Sequence, residues 1–418
     1  MIYIKKRNEL TYVSENKQLI ILGNGFDLAN GFNTSYNSFM DWILNKEMVD
    51  ISSVKEELEK IDLYYHTFFL KDYSRDRLAE VLAKNPEAIP KEYKLNIWYL
   101  LFIHSSLSDD PNWCDIEYQM YNYLVNGHLL TINSDFEIVP NKKEVIDFQK
   151  LIKVLTYSKS QIDTDDPSSL AKYFYESLNE LESDFEQFLF KVAGYSKDRI
   201  LESYMGGCGA NEFLNFIVKQ DMIKEVPFNL LTFNYTDPWD KRWTKDIDGD
   251  VECRISPDKV LMVHGKAKNY KDKSNRLIFG IDNLNVEPSD PNYCFTKTYR
   301  TLVLNSQKPA YIQSSIYEPN INIIKFYGHS LCAADYSYFQ QMFDFYDLYK
   351  NNDLKLYFYF SNWPGSGFTD EEMLRLRVNE VTNLIGIYGT TLDNKYHGKN
   401  LLTKMQQTGR LVIKKIEY

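Results

Sequence analysis

Four short stretches of this 418-residue chain run from apolar residues into groups that can do chemistry. In ILGNGFDLANGFNTSY (21–36) the apolar run breaks at Gly23, Asn24 and Gly25, with Asp27 just beyond. LTFNYTD carries Thr232 and Asn234, LMVHG ends on His264 and Gly265, and FYGHSL ends on Gly328, His329 and Ser330. Glycines after a strand let the backbone approach a ligand, and exposed amides there suit a phosphate or pyrophosphate. An asparagine amide offers a donor and an acceptor together. An imidazole, the side chain that titrates nearest neutrality, can take a proton from water or a hydroxyl.

Each stretch also has a purely structural reading. Gly23–Gly25 could be a tight turn, Asn234 the head of an Asx-turn, His264 a partner for a nearby carbonyl, and Gly328–Ser330 the N-cap of a following helix. The dinucleotide fingerprint G-x-G-x-x-G is not met, because Leu28 stands where the third glycine belongs and the next glycine is Gly31. Occurrence in this order favours a site. The carboxyl ends of parallel strands line one crevice, which is where open α/β sheets bind ligands.

The elements that would hold these residues are legible in the hydrophobic pattern. Short apolar runs bounded by Gly, Asn or Pro read as buried strands at 18–23, 228–235, 259–265, 276–281, 321–330 and 354–360. Residues 36 to 220 carry 3.6-period stretches such as SVKEELEKIDLYYHTFFL and SLAKYFYESLNELESDFEQFLFKVAGY, and helices also fit 335–350 and 369–389. Thr369 and Asp370 stand at the N-cap of the last, with Glu371 and Glu372 in its first turn. The pattern predicts a Rossmann-like α/β fold with a mostly parallel sheet flanked by helices, and a large helical insertion after the first βα unit. The expected division is 1–50 and 221–418 for the two parts of the α/β domain and 51–220 for the insertion.

Composition narrows the partners. A net charge of −10 gives no overall positive field to draw the chain onto nucleic acid or anionic lipid. The five cysteines, Cys114, Cys208, Cys253, Cys294 and Cys332, contain no C-x-x-C pair, so neither a disulfide framework nor a structural zinc is expected. The polar start is unlike a secretory signal, and no apolar run approaches the roughly 18 residues of a membrane span. A cytoplasmic protein is the expectation. The abundant aromatics are read as core rather than as a base-stacking surface.

A second chemistry competes. Asp115 and Glu117 lie close in sequence, and Glu182 and Glu186 fall four apart on one helix face. Such pairs could hold Mg²⁺ for phosphodiester or nucleotide hydrolysis, or act as a glycosidase acid and base. Acidic surface helices are common, so a solvated face is the reading set beside them.

The opening ILGNGFDLANGFNTSYNSF resembles the signature of the AbiH family of bacterial abortive-infection proteins, and LTFNYTD, VHGKA, FGID and GHSLCAADYSYF resemble its later blocks. The resemblance spans most of the chain and is weakest in the helical middle. It implies a defence role against phage. A more distant likeness is to sirtuins and sirtuin-like NAD hydrolases: Gly23, Gly25 and Gly31 reproduce their G-x-G-x5-G loop, Thr232-Phe233-Asn234 their asparagine strand, His264-Gly265 their catalytic histidine, and Gly328-His329-Ser330-Leu331 their phosphate turn. Asn33-Thr34-Ser35-Tyr36 replaces their Pro-Asp-Phe-Arg, and no cysteine pairs exist for their zinc module, which speaks against lysine deacylation.

That likeness implies NAD as substrate or ligand. Gly23, Asn24 and Gly25 would then give backbone amides to the pyrophosphate, Ser330 a hydroxyl or amide to the adenosine half, and Asn234 and His264 would orient and deprotonate a water. Thr232, Gly328 and His329 complete the expected nucleotide contacts, with His329 available to add charge. Asp27 has three readings: ribose acceptor, stabiliser of an oxocarbenium ion, or cap of the following turn. Besides the nucleotide, the partners considered are a phage-derived trigger and a second copy of the chain. The alternatives to NAD hydrolysis are a metal-dependent nuclease or nucleotide hydrolase using the acidic helices, and a non-catalytic nucleotide sensor.

Overall fold

A computed structural model describes residues 2–6, 9–13, 16–56, 58–59, 95–108, 115–126, 166–191, 209–238, 256–267, 277–283, 286–306, 315–362, 367–392 and 395–417. Two compact units share the chain. One takes Met1–Thr34, Leu189–Ala267 and Lys308–Tyr418, and the other takes Ser35–Phe188 and Lys268–Gln307. The segment 268–307 therefore leaves the α/β unit, to which the sequence pattern had assigned it.

The first unit is built on β3 (Lys17–Leu22), β4 (Phe228–Thr232), β5 (Lys259–Met262), β6 (Ile321–Tyr327), β7 (Lys355–Phe360) and β8 (Leu411–Lys415). They form one sheet in the order β5-β4-β3-β6-β7-β8, and every pairing is parallel. The chain first builds outward from β3 through β4 to β5, then crosses back to β6 and builds outward the other way. This is the doubly wound order, with its switch between β3 and β6. Before it, β1 (Ile2–Lys6) and β2 (Glu9–Val13) pair antiparallel as a separate ribbon that the polar start had not suggested.

Strand alternation gives the sheet two buried faces. Leu19, Ile21, Ile324, Phe326, Leu356 and Phe358 join one core with Phe339 and Phe343 of the Tyr336–Phe345 helix, Val381, Leu384 and Tyr388 of the Asp370–Thr391 helix, and Leu401 and Met405 of the Lys395–Gln407 helix. On the other face Tyr327 meets Phe213 of the Ala210–Lys219 helix at 4.9 Å between rings. Lys325 donates to the carbonyls of Ile217, Val218 and Gln220, and Gln18 to that of Val218, so the open carbonyls at that helix's end are satisfied from inside the sheet. Burial on both faces is why the inner strands β3, β4, β6 and β7 read as continuous apolar runs rather than alternating ones. The expected Thr369 N-cap is present as a full capping box with Glu372, worth about 1 kcal/mol by analogy with other caps.

Two strand expectations change. LVIKK at the sheet edge is β8, which its short apolar run did not announce. RLIFGI is not a sheet strand: 277–281 lies in the second unit, where Ile281 makes only an isolated bridge to Thr296.

The second unit contains the helices Tyr36–Lys46, Ile97–Ser105, Ile116–Tyr121 and Lys297–Ser306, and Pro167–Lys191 as far as Phe188. Phe39, Phe185 and Phe188 pack ring on ring at 5.0–6.0 Å, and Phe279 joins Phe185 at 5.2 Å. Of SVKEELEKIDLYYHTFFL only the beginning is described, and there it is helical; the remainder lies outside the described residues.

Candidate functional site at the carboxyl edge of the sheet

Register decides what meets at the sheet's carboxyl edge. Leu22 pairs with Thr232 on one side and Tyr327 on the other, and Thr232 pairs with Met262, so four strands end level. Gly23, Phe233, Val263 and Gly328 then leave together. Their amides continue the ladder: Phe233 N–H donates to Leu22 O, Val263 N–H to Thr232 O and Gly23 N–H to Tyr327 O.

At the switch point the first glycine loop and the loop after β6 touch backbone to backbone. A Cβ on Gly25 would lie 2.7 Å from the Gly328 Cα, and one on Gly23 2.5 Å from the His329 Cα. Gly328 has φ +71° and is also crowded, with a Cβ position 2.5 Å from Phe26 N. Only glycine fits both constraints there. The Gly25 N–H donates to Gly328 O at 2.8 Å. This corrects one expectation: the amides of Gly23 and Gly25 are engaged within the protein and do not face outward for a pyrophosphate. Asn24 is exposed, and its amide pairs with Thr34, whose hydroxyl donates to it at 2.5 Å.

Asp27 is 1% exposed. Its carboxylate lies 2.7 and 2.8 Å from the Thr236 hydroxyl and 3.1 Å from the Asn234 Nδ2, which donates to it. Burial pushes its pKa up from 3.8 to about 7, against the lowering effect of those two donors. Of its three readings, capping the turn is not what the side chain does. Asn234 is itself buried, its backbone N–H donates to the Thr232 hydroxyl at 3.1 Å, and its Oδ1 has no hydrogen-bond partner among the described residues. Thr232 thus shapes the turn that presents Asn234.

A second cluster stands beside it. The Asp335 carboxylate bridges two imidazoles, with Oδ1 3.1 Å from His264 Nε2 and Oδ2 3.2 Å from His329 Nε2; all three residues are about 5% exposed or less. The Phe233 ring lies 4.2 Å from the His329 ring and 5.6 Å from that of His264. Arg377, from the Asp370–Thr391 helix, donates to the His329 carbonyl at 2.5 Å. His329 Nδ1 accepts the Leu331 N–H at 2.8 Å. A charged imidazole has no acceptor, so His329 is neutral here, and burial, followed by the neighbouring His264 and Arg377, pulls its pKa below the usual value despite Asp335. The expectation that His329 adds charge is corrected by this geometry. Ser330 is exposed at the same turn.

Asp335 and Arg377 were missed in sequence. Asp335 lies six residues past His329 in GHSLCAADYSYF, a spacing with no fixed meaning until the left-handed Leu331, at φ +54°, doubles the chain back.

In the second unit the acidic helices are not a solvated face. Glu117, Glu182 and Glu186 are buried. Glu117 pairs with Lys297 at 2.9 Å, and Glu182 with Arg300 at 2.6 Å while accepting the Phe279 N–H at 2.7 Å. Burial still lifts Glu182 to about 7. Asp115 caps its helix by accepting from Tyr118 N. Asp115, Glu117 and Glu182 thereby each have a structural partner.

The strand order, the level strand ends and the polar cluster at the switch define a doubly wound α/β protein with a buried acid, amide and histidine centre. The chain belongs to the bacteriophage abortive infection AbiH family, whose model matches residues 19–357, and it is an abortive-infection protein of antiphage defence. No curated protein and no solved structure matches it. No helix among the described residues is long and apolar enough to cross a membrane.

Proposed function

We propose that the chain is a defence effector that consumes a nucleotide, hydrolysing NAD at the nicotinamide–ribose bond. The observation that carries this reading is the gathering of Asp27, Asn234, His264 and His329 from four adjacent parallel strands at one switch point, in the order of motifs that resembles sirtuin-like NAD hydrolases.

The nicotinamide ring leaves with both electrons of the broken C–N bond and becomes neutral, so it needs no acid. Positive charge develops on the ribose, and the products are ADP-ribose, nicotinamide and a proton. His264 takes the proton from the attacking water. Asn234, with its Oδ1 unpartnered, orients that water or a ribose hydroxyl. Asp27, when ionised, supplies negative charge near the developing cation. The exposed Asn24 and Ser330 are the polar groups left for the phosphates.

The test is nicotinamide release from NAD by purified protein, at rest and with lysate from phage-infected cells as activator, because a toxic activity needs a gate. Release by the parent and its loss in His264→Ala and Asn234→Ala is the expected outcome. Intact NAD with parent and variants alike would remove the reading, and calorimetric binding without turnover would select a nucleotide sensor in its place.

A further inference from the structure

We propose that Asp335 is a positioning residue that fixes the tautomer of His264, so that Nδ1 is the nitrogen this histidine presents for chemistry. With Asp335 ionised the tautomer follows from the hydrogen-bond geometry, and its catalytic consequence rests on the NAD-cleaving reading.

The chain of reasoning starts at a backbone amide. Leu331 N–H can only donate, so His329 Nδ1 must carry a lone pair and the ring's one hydrogen sits on Nε2. That N–H points at Asp335 Oδ2 at 3.2 Å, which occupies one carboxylate oxygen with a donor that cannot reverse. The other oxygen lies 3.1 Å from His264 Nε2. An ionised carboxylate only accepts, so His264 Nε2 carries the hydrogen and Nδ1 keeps its lone pair. A carboxylate on one ring nitrogen setting the role of the other is the logic of acid–histidine pairs in hydrolases generally.

The surroundings hold this arrangement from several sides. Asp335 closes a 3-10 turn and leads directly into the Tyr336–Phe345 helix, so its backbone is anchored by ten helical residues. Arg377 ties down the His329 carbonyl, and Phe233 and Phe339 pack their rings against His329 at 4.2 and 5.1 Å. His329 thereby acts on Asp335, and Asp335 on His264. The same tautomer removes the His329 Nε2 lone pair, so a metal ion would have no ligand in that nitrogen.

The experiment is a long-range proton–nitrogen correlation spectrum of the full chain labelled at its six histidines, with His264 and His329 assigned by their Gln variants. In the parent both rings are expected to carry hydrogen on Nε2. In Asp335→Asn the amide oxygen must accept from the locked His329, which turns the amide N–H toward His264 Nε2 and moves that ring's hydrogen to Nδ1. Retention of the His329 signature shows that the variant is folded. Asp335→Glu, which keeps an acceptor, should restore the parent His264 pattern. In nicotinamide release Asp335→Asn should lower kcat by about 10²–10⁴ with little change in KM. Hydrogen on His264 Nδ1 in the parent, or no change of tautomer in Asp335→Asn, would overturn the proposal. The expected spectra together with no NAD cleavage by any form would uphold the positioning role and reject the NAD reading.

Discussion

Replacing Asp27 by asparagine should make this protein more stable, and more so at alkaline pH. Asp27 titrates near 7 in the fold against 3.8 in an open chain, with burial the largest cause. Between those values the native state holds a proton that the unfolded chain has released, so the stability it confers is complete below pH 4 and is lost as pH rises through 7. At roughly 1.4 kcal/mol per unit, the burden of the buried acid is about 2 kcal/mol at pH 5 and about 4 kcal/mol at pH 8. The introduced amide would keep the Thr236 hydroxyl as donor, and its own N–H could reach the unpartnered Asn234 Oδ1 once that side chain turns over. Urea unfolding of parent and Asp27→Asn at both pH values measures the difference. The expected gain is about 2 kcal/mol larger at pH 8 than at pH 5. A gain that ignores pH, or a loss at pH 8, would refute the reasoning. A carboxylate kept at this disadvantage among polar strand ends is what a site selected for chemistry rather than stability would contain.

Gly25→Ala should destabilise by about 3 kcal/mol or more, because the new methyl meets the Gly328 backbone at 2.7 Å and neither chain can yield without breaking the switch. Retained parental melting would count against that close approach. Arg300→Met should cost about 3–5 kcal/mol by leaving Glu182 buried without its cation. Adding Glu182→Met should recover much of that loss, and a double variant no better than the single one would show that the carboxylate is not the source.

Much of the first unit was legible in advance because its signals are local. A short apolar run buried on both faces looks the same wherever it lies, so β3, β4, β6 and β7 were readable; β5, half-exposed at the sheet edge, was readable from its apolar composition, and the Thr369 capping box from its spacing. RLIFGI misled for the same reason: its composition suits a strand, yet Phe279 N–H donates to the Glu182 carboxylate, 97 residues away in sequence. The acids misled in the opposite direction, since the cations that allow their burial come from Lys297 and Arg300, more than 100 residues distant.

By itself the sequence marked five of the six strands of the parallel sheet, the points where four of them break into polar residues, and the glycines at both sides of the switch. Only the folded chain decided what those residues do. Parallel register brought four strand ends level, turned the Gly23 and Gly25 amides onto β6 and the loop after it, and set Asp335 between two histidines. Local pattern carries propensity, whereas hydrogen-bond partners and burial depend on groups far apart along the chain and become defined only when the sheet is assembled.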